Sequence, residues 1–132
     1  MINAVNVPVQ SVAINSDVLF QNTRIRTGCS VRHEQGSGRF VALKPGVYEV
    51  TYSGNVSVPT VSQVVLDLVQ DGEVVAGSKV ILTPPAANTP TTFSRTVLVR
   101  VFCDCCVSLS VRNSGTTAIN IQDASFVITR EC

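Results

Sequence analysis

Apolar and polar residues alternate in short runs along this chain, and Gly, Pro, Asn or Asp closes a run about every 8–12 positions. A period of two throws successive side chains to opposite faces, so each run can bury a single face only as an extended strand. No stretch of about ten residues carries the 3.6-residue period of an amphipathic helix, and none approaches the ~18 apolar residues of a membrane span. Composition agrees: 24 Val, 7 Ile and 12 Thr stand among 132 residues, and 14% are charged. Such a chain is too apolar for disorder and too poor in helix formers for a helical bundle.

The pattern predicts strands over residues 9–14, 17–21, 39–43, 47–58, 62–70, 73–82, 91–102, 107–112 and 118–130, with one more short strand inside 23–39. Lys44-Pro45-Gly46, Asp71-Gly72 and Asn113-Ser114-Gly115 mark turns, Asp-Gly being the strongest short hairpin signal. The expected fold is a single domain spanning 1–132: an all-β, antiparallel jelly-roll sandwich of 8–10 strands.

A family resemblance rests on the order of several motifs. Phe40 followed by Gly46-Val47-Tyr48-Glu49-Val50-Thr51-Tyr52 resembles the strand signature of the tumour necrosis factor-like superfamily. Within it the chain is most similar to complement-type globular heads and their bacterial and phage relatives, including heads of spore-surface collagen-like glycoproteins. Val64-Val65-Leu66-Asp67-Leu68 with Asp71-Gly72-Glu73, then Val107-Ser108-Leu109-Ser110-Val111, then Ala124-Ser125-Phe126-Val127-Ile128 follow in the family's order. The resemblance covers about three-quarters of the chain, from Gly38 onward; Trp and a collagen stalk are missing.

The resemblance implies a homotrimer packed about a three-fold axis. It also implies that the turns at 44–46, 71–72 and 103–106 share one end with Cys132, and that 59–62, 83–90 and 113–117 share the other. The strand over 91–102 supports a second buried surface, because Val97, Val99 and Val101 alternate with Leu98, Arg100 and Phe102. The expected trimer interface comprises Glu49, Leu98, Arg100, Phe102 and Phe126, with Glu49 and Arg100 meeting within the chain or across the interface. A snorkelling surface arginine is the alternative for Arg100. Thr83, Pro84, Pro85, Asn88 and Pro90 form the candidate binding loop, stiffened by its prolines.

No catalytic constellation is present, so the chain is expected not to be an enzyme, with no cofactor and no metal. His33 is the one histidine, in a polar stretch without a G-x-S-x-G or H-E-x-x-H motif, and is expected to be a solvated loop residue. Asp67, Asp71, Glu73 and Asp104 are expected to be solvated turn acids rather than a calcium site. The five cysteines, Cys29, Cys103, Cys105, Cys106 and Cys132, are expected as free thiols, with a metal or a disulfide as alternatives. A net charge of +1 gives no footprint for nucleic acid or membrane. The residues near Met1 lack the basic and apolar regions of a signal peptide. These readings converge on a non-enzymatic structural or binding head. The expected setting is a phage virion, as a decoration, fibre-tip or tail-associated protein made in the host cytoplasm. The partners would be other virion or surface proteins and a host-surface glycan. The alternative is a glycan-binding head on a spore coat or bacterial cell surface.

Overall fold

Tyr48, Val50, Tyr52, Gly54 and Val56 occupy alternate positions of one long strand and are all buried, while the residues between them are exposed or half-buried. That parity commits the strand to one core face, and its neighbours follow the same rule. The computed structural model describes residues 1–28, 30–102 and 107–130. Its strands are β1 (Ile2–Asn6), β2 (Gln10–Val12), β3 (Asn22–Arg26), β4 (Val31–His33), β5 (Phe40–Ala42), β6 (Gly46–Ser57), β7 (Val64–Gln70), β8 (Glu73–Val74), β9 (Val80–Leu82), β10 (Thr91–Val101), β11 (Val107–Asn113) and β12 (Ile119–Arg130). The described residues include no helix, and hence none long and apolar enough to cross a membrane.

Two antiparallel sheets face each other. The first runs β10-β6-β12-β1-β3, with β2 also on β12; the second runs β4-β5-β11-β7-β8, with β9 also on β7. This is the expected all-β sandwich. The strand count, twelve among the described residues, exceeds the 8–10 predicted for three local reasons. β1 was not anticipated, because Asn3 and Asn6 weaken its local pattern. It exists through pairing with β12 and β3, helped by Asn3 Nδ2 donating to the Phe126 carbonyl at 3.4 Å. The polar excursion 23–39 holds two short strands, β3 and β4. The strand predicted over 73–82 breaks into β8 and β9, because Gly77 takes φ 81° and Ser78 turns into the core. There the Ser78 hydroxyl accepts from the Leu68 amide at 3.2 Å and donates to the Val75 carbonyl at 2.6 Å. Conversely, 17–21 forms no strand. Asp17 makes an isolated bridge to Arg112, while Val18 and Phe20 still alternate into the core.

The ends of the sandwich match the expected topology for the turns at 44–46, 71–72, 59–62, 83–90 and 113–117; 103–106 and Cys132 lie outside the described residues. At one end Arg130 donates to the Pro45 carbonyl at 3.0 and 2.8 Å. There Asp71, with Gly72 in a turn of positive φ at both residues, accepts from the Ser108 amide at 2.9 Å. At the other end the Asn88 amide donates to Val58 at 2.8 Å, and the Ser62 and Thr117 hydroxyls are 3.0 Å apart.

An aromatic column ties the sheets together. Phe126 of β12 stacks on Phe40 of β5 with centroids 4.0 Å apart at 13°, and Phe20 meets both at 5.5 and 5.6 Å. Tyr48 donates to the Lys44 carbonyl at 2.6 Å. Tyr52 donates to the Ser78 carbonyl across the sheets. Burial, reinforced by Asp67 and opposed by Arg95, pushes the Tyr52 phenol up to about 12, which keeps it a donor at neutral pH. At the open edge, Arg95 of β10 clamps the Gly77 carbonyl with bonds of 3.1 and 2.6 Å.

Because Phe126 is fully buried, Phe126→Ala should lower unfolding stability by about 3–5 kcal/mol. Phe102→Ala, which removes an exposed ring, should change it by less than about 0.5 kcal/mol under conditions where the chain is monomeric. Urea titrations of both variants check the contrast.

Candidate functional site

On β10 the expected parity holds. Phe93, Val97, Val99 and Val101 face the core, whereas Leu98 and Phe102 are 63% and 77% exposed. The outer face of the first sheet is built in cross-strand rows. Thr92, Asn55 and Gln122 share one row; Ser94, Ser53 and Ser125 the next; Thr96, Thr51 and Val127 the third; Leu98, Glu49 and Thr129 the fourth. Thr92 donates to Asn55 at 2.7 Å, and the Thr51 and Thr96 hydroxyls are 3.0 Å apart. On the outward rows of β10 and β6 the charges are Glu49 and Arg100; Asp123 is exposed at the bulge of β12, and Arg24 of β3 reaches the same face, donating to Asn3 Oδ1 at 3.3 Å. The outer side of the second sheet carries Arg32, Arg112 and the buried Asp67, which Lys79, just before β9, covers.

The residues expected at a trimer interface divide accordingly. Glu49, Leu98 and Arg100 occupy outward positions of this sheet, while Phe102, one residue past β10, lines with Arg100 a groove against the β7–β8 hairpin. Phe126 instead points inward, fully buried against Phe40, because its cross-strand partner is Tyr52 and paired residues share a face. Glu49 and Arg100 sit on neighbouring antiparallel strands as expected, yet the register places Glu49 opposite Leu98 and Arg100 opposite Val47. One row apart, they form no ion pair within the chain. The Arg100 guanidinium instead lies 4.8 Å from the Phe102 ring centroid, a cation–π contact.

The loop 83–90 lies at the far end of the sandwich. Thr83, Pro85, Asn88 and Pro90 are exposed, while Pro84 is buried and anchors the loop. Asn88 adopts φ 57°.

His33 departs from expectation. It is buried, not solvated, because Val31 and His33 share the inward parity of β4. Its ring stacks on Phe40 at 4.3 Å. Nε2 lies 2.8 Å from the Ser37 carbonyl and must donate to it, so in the neutral ring Nδ1 accepts from the Thr23 hydroxyl at 2.8 Å. Asp67 departs from expectation too, being a buried residue of β7 rather than a solvated turn acid. It is paired with Lys79 at 3.1 Å, with its second carboxylate oxygen unpartnered among the described residues. Asp71 holds Ser108, and Glu73 is exposed on β8. Among the described residues no three His, Cys, Asp or Glu side chains are placed to hold a metal ion. Asp104 and the five cysteines Cys29, Cys103, Cys105, Cys106 and Cys132 lie outside the described residues.

A concave site that the sequence did not announce opens on the second sheet, around the hairpin joining β4 to β5. It has a volume of about 390 Å³ and is lined by Asp17, Arg32, Glu34, Ser37, Arg39 and Val41, with Gly38. Its floor leaves no room beyond a glycine: a Cβ on Gly38 would lie 2.5 Å from the Val18 carbonyl oxygen.

No family model and no curated protein matches the sequence. The fold does match solved structures. The globular domain of zebrafish complement 1qA protein superposes with a TM-score of 0.71 at 11% identity, covering 99% of this chain and 96% of that one. Eiger TNF from S. frugiperda gives 0.62 at 10% identity, with 99% and 92% covered. The vertex protein P5 of PRD1 gives 0.58 at 16% identity, with 98% and 94% covered. The architecture is therefore that of tumour necrosis factor-like and complement-type heads, matched over nearly the whole chain.

Burial lowers the His33 pKa below its ordinary 6.5, against the Ser37 carbonyl and Glu34, which raise it. The fold thus prefers the neutral ring. Its contribution is complete above about pH 6.5 and is lost as the pH falls through the depressed value. The urea midpoint of the parent should fall between about pH 7 and pH 5, and that fall should be smaller in His33→Gln.

Proposed function

We infer that this chain is a non-enzymatic structural and binding head that works as a homotrimer. The observation carrying this reading is the outer face of the first sheet. It combines exposed Leu98, and exposed Phe102 just past the end of β10, with a wide field of Ser, Thr and Asn and few charges, Glu49, Arg100, Arg24 and the bulge residue Asp123. Charge depletion with an aromatic and aliphatic centre is the composition of a surface that sheds water against another protein. A neighbouring copy of this chain is the occupant that needs no further molecule, and in a three-fold ring this face meets a different surface of the next copy. Glu49 and Arg100, unpaired with each other within the chain, then meet partners across the interface and fix its register.

The likeness of fold to the PRD1 vertex protein supports a place at the surface of a virus particle, as a decoration, fibre-tip or tail-associated component. The loop 83–90, held at one end of the sandwich, is positioned to meet a further virion or surface protein.

Light scattering after size exclusion should give three times 14.1 kDa. Leu98→Asp combined with Phe102→Asp should yield a folded monomer with an unchanged cooperative melt. A parent that elutes as a monomer at micromolar concentration would overturn the trimer. Labelling of purified particles with an antibody to this chain tests the virion assignment; absence from the particle would refute it.

A further inference from the structure

We propose that the cleft at the β4–β5 hairpin binds a neutral, hydroxyl-rich ligand, a single sugar unit of a glycan. Four charged side chains line it, Asp17 and Glu34 against Arg32 and Arg39. No ion pair joins any of these four to another, the one ion pair among the described residues being Lys79–Asp67. Opposite charges gathered around a cavity without satisfying one another are free to bond something placed between them.

The chemistry of the lining narrows what that is. Two carboxylates accept hydrogen bonds and offer no donor; two guanidiniums donate and offer no acceptor. The site is therefore charge-balanced, which disfavours both a phosphate and a simple cation: each would meet two like charges. A ligand that suits it must donate and accept at neighbouring atoms while carrying no net charge. Adjacent hydroxyls of a pyranose do this, since each hydroxyl gives one proton and accepts through its lone pairs. Bonds from hydroxyls to ionised groups are the stronger kind. The Ser37 hydroxyl adds one more polar contact and Val41 an apolar wall for the C–H face of the ring. At about 390 Å³ the cleft lies toward the small end of the usual range for ligand sites, ~300–1,000 Å³.

The backbone under the cleft is held on several sides, so little ordering remains for the ligand to drive. The Ser37 carbonyl accepts from the Phe20 amide at 3.2 Å and from His33 Nε2 at 2.8 Å. The Gly36 amide donates back to Phe20 at 2.9 Å. The Arg39 amide donates to the Ser37 hydroxyl at 3.0 Å. Gly38 seats the hairpin against Val18 at a distance no other residue permits. The cleft also lies on the sheet opposite the proposed trimer interface. It stays open in the assembly, and only its presentation in three copies rests on that reading.

Amide chemical shifts of the full chain should be followed by NMR during titration with methyl glycosides of galactose, glucose, mannose and N-acetylglucosamine, and with inorganic phosphate. At least one glycoside should shift residues 17 and 32–41 with millimolar affinity. Asp17→Asn at a half-buried residue and Arg39→Gln at an exposed one should each weaken that binding by at least about tenfold while leaving the rest of the spectrum in place. No response to any glycoside up to roughly 50 mM, a response centred elsewhere, or one unaltered in both variants would overturn the proposal. Tighter binding of phosphate than of every glycoside would overturn it too, by making this an anion site. A monovalent sugar reports on the single chain, so the outcome is independent of whether the protein is a trimer.

Discussion

Phe40 on Phe126 is the contact on which the rest of the molecule turns. The two rings come from opposite sheets and stack at 4.0 Å. An aromatic pair of this kind adds about 0.5–1.5 kcal/mol beyond the area it buries. Its larger effect is geometric. Phe126 fixes the height of β12 against β5, and β12 carries β1, β2 and β6 with it. The other face of Phe40 receives His33, which grips the Ser37 carbonyl in the hairpin. One column of rings thus runs from the middle of the first sheet to the floor of the polar cleft on the second. A cavity left by losing Phe126 would be felt in the first sheet and at the cleft together.

The faces of the sandwich divide the work. The first sheet is centred on three long strands, β10, β6 and β12, whose outward residues are mostly small and polar. The second sheet has short strands, and the charges on it stay wet or bond locally. Asp67 is the exception that shows the rule's strength: the one buried carboxylate described is covered by the Lys79 ammonium. Burying the second sheet in an oligomer would require desolvating such groups, each at several kcal/mol. On the first sheet the penalty falls on Glu49 and Arg100, with Arg24 and the bulge residue Asp123 at its margin.

Much of this was legible in the sequence where the alternation was long. β6, β10, β11 and β12 follow their parity closely, and Tyr48, Tyr52, Val97 and Val99 stand where period two puts them. Legibility failed where structure depends on pairing rather than pattern. β1 contains two asparagines and exists because β12 and β3 flank it. Phe126 was misassigned to an outer face because only its register with Tyr52 settles its side, and register is a non-local quantity. His33 was misjudged among charged neighbours, although the two-residue spacing from Val31 carried the signal. The cleft was invisible. Its residues come from position 17 and from 32–41, and they are joined only when Val18 bonds to Val111 and Gly38 closes on Val18.

The charge balance of the cleft and the trimeric reading of the opposite face have a common energetic logic. A site that recognises hydroxyls through two carboxylates and two guanidiniums must exchange water for sugar at nearly equal hydrogen-bond strength, so a single contact is weak. Weak single sites become useful when several are displayed rigidly on one body. Linked sites that can engage together raise avidity by roughly 10²–10⁴ over one alone, with no new contact. Rigidity is what the sandwich supplies: the cleft sits on a hairpin locked to the aromatic column rather than on a free loop. The proposed self-association through the first sheet, with the opposite sheet left charged and open, is the arrangement that display of this kind requires.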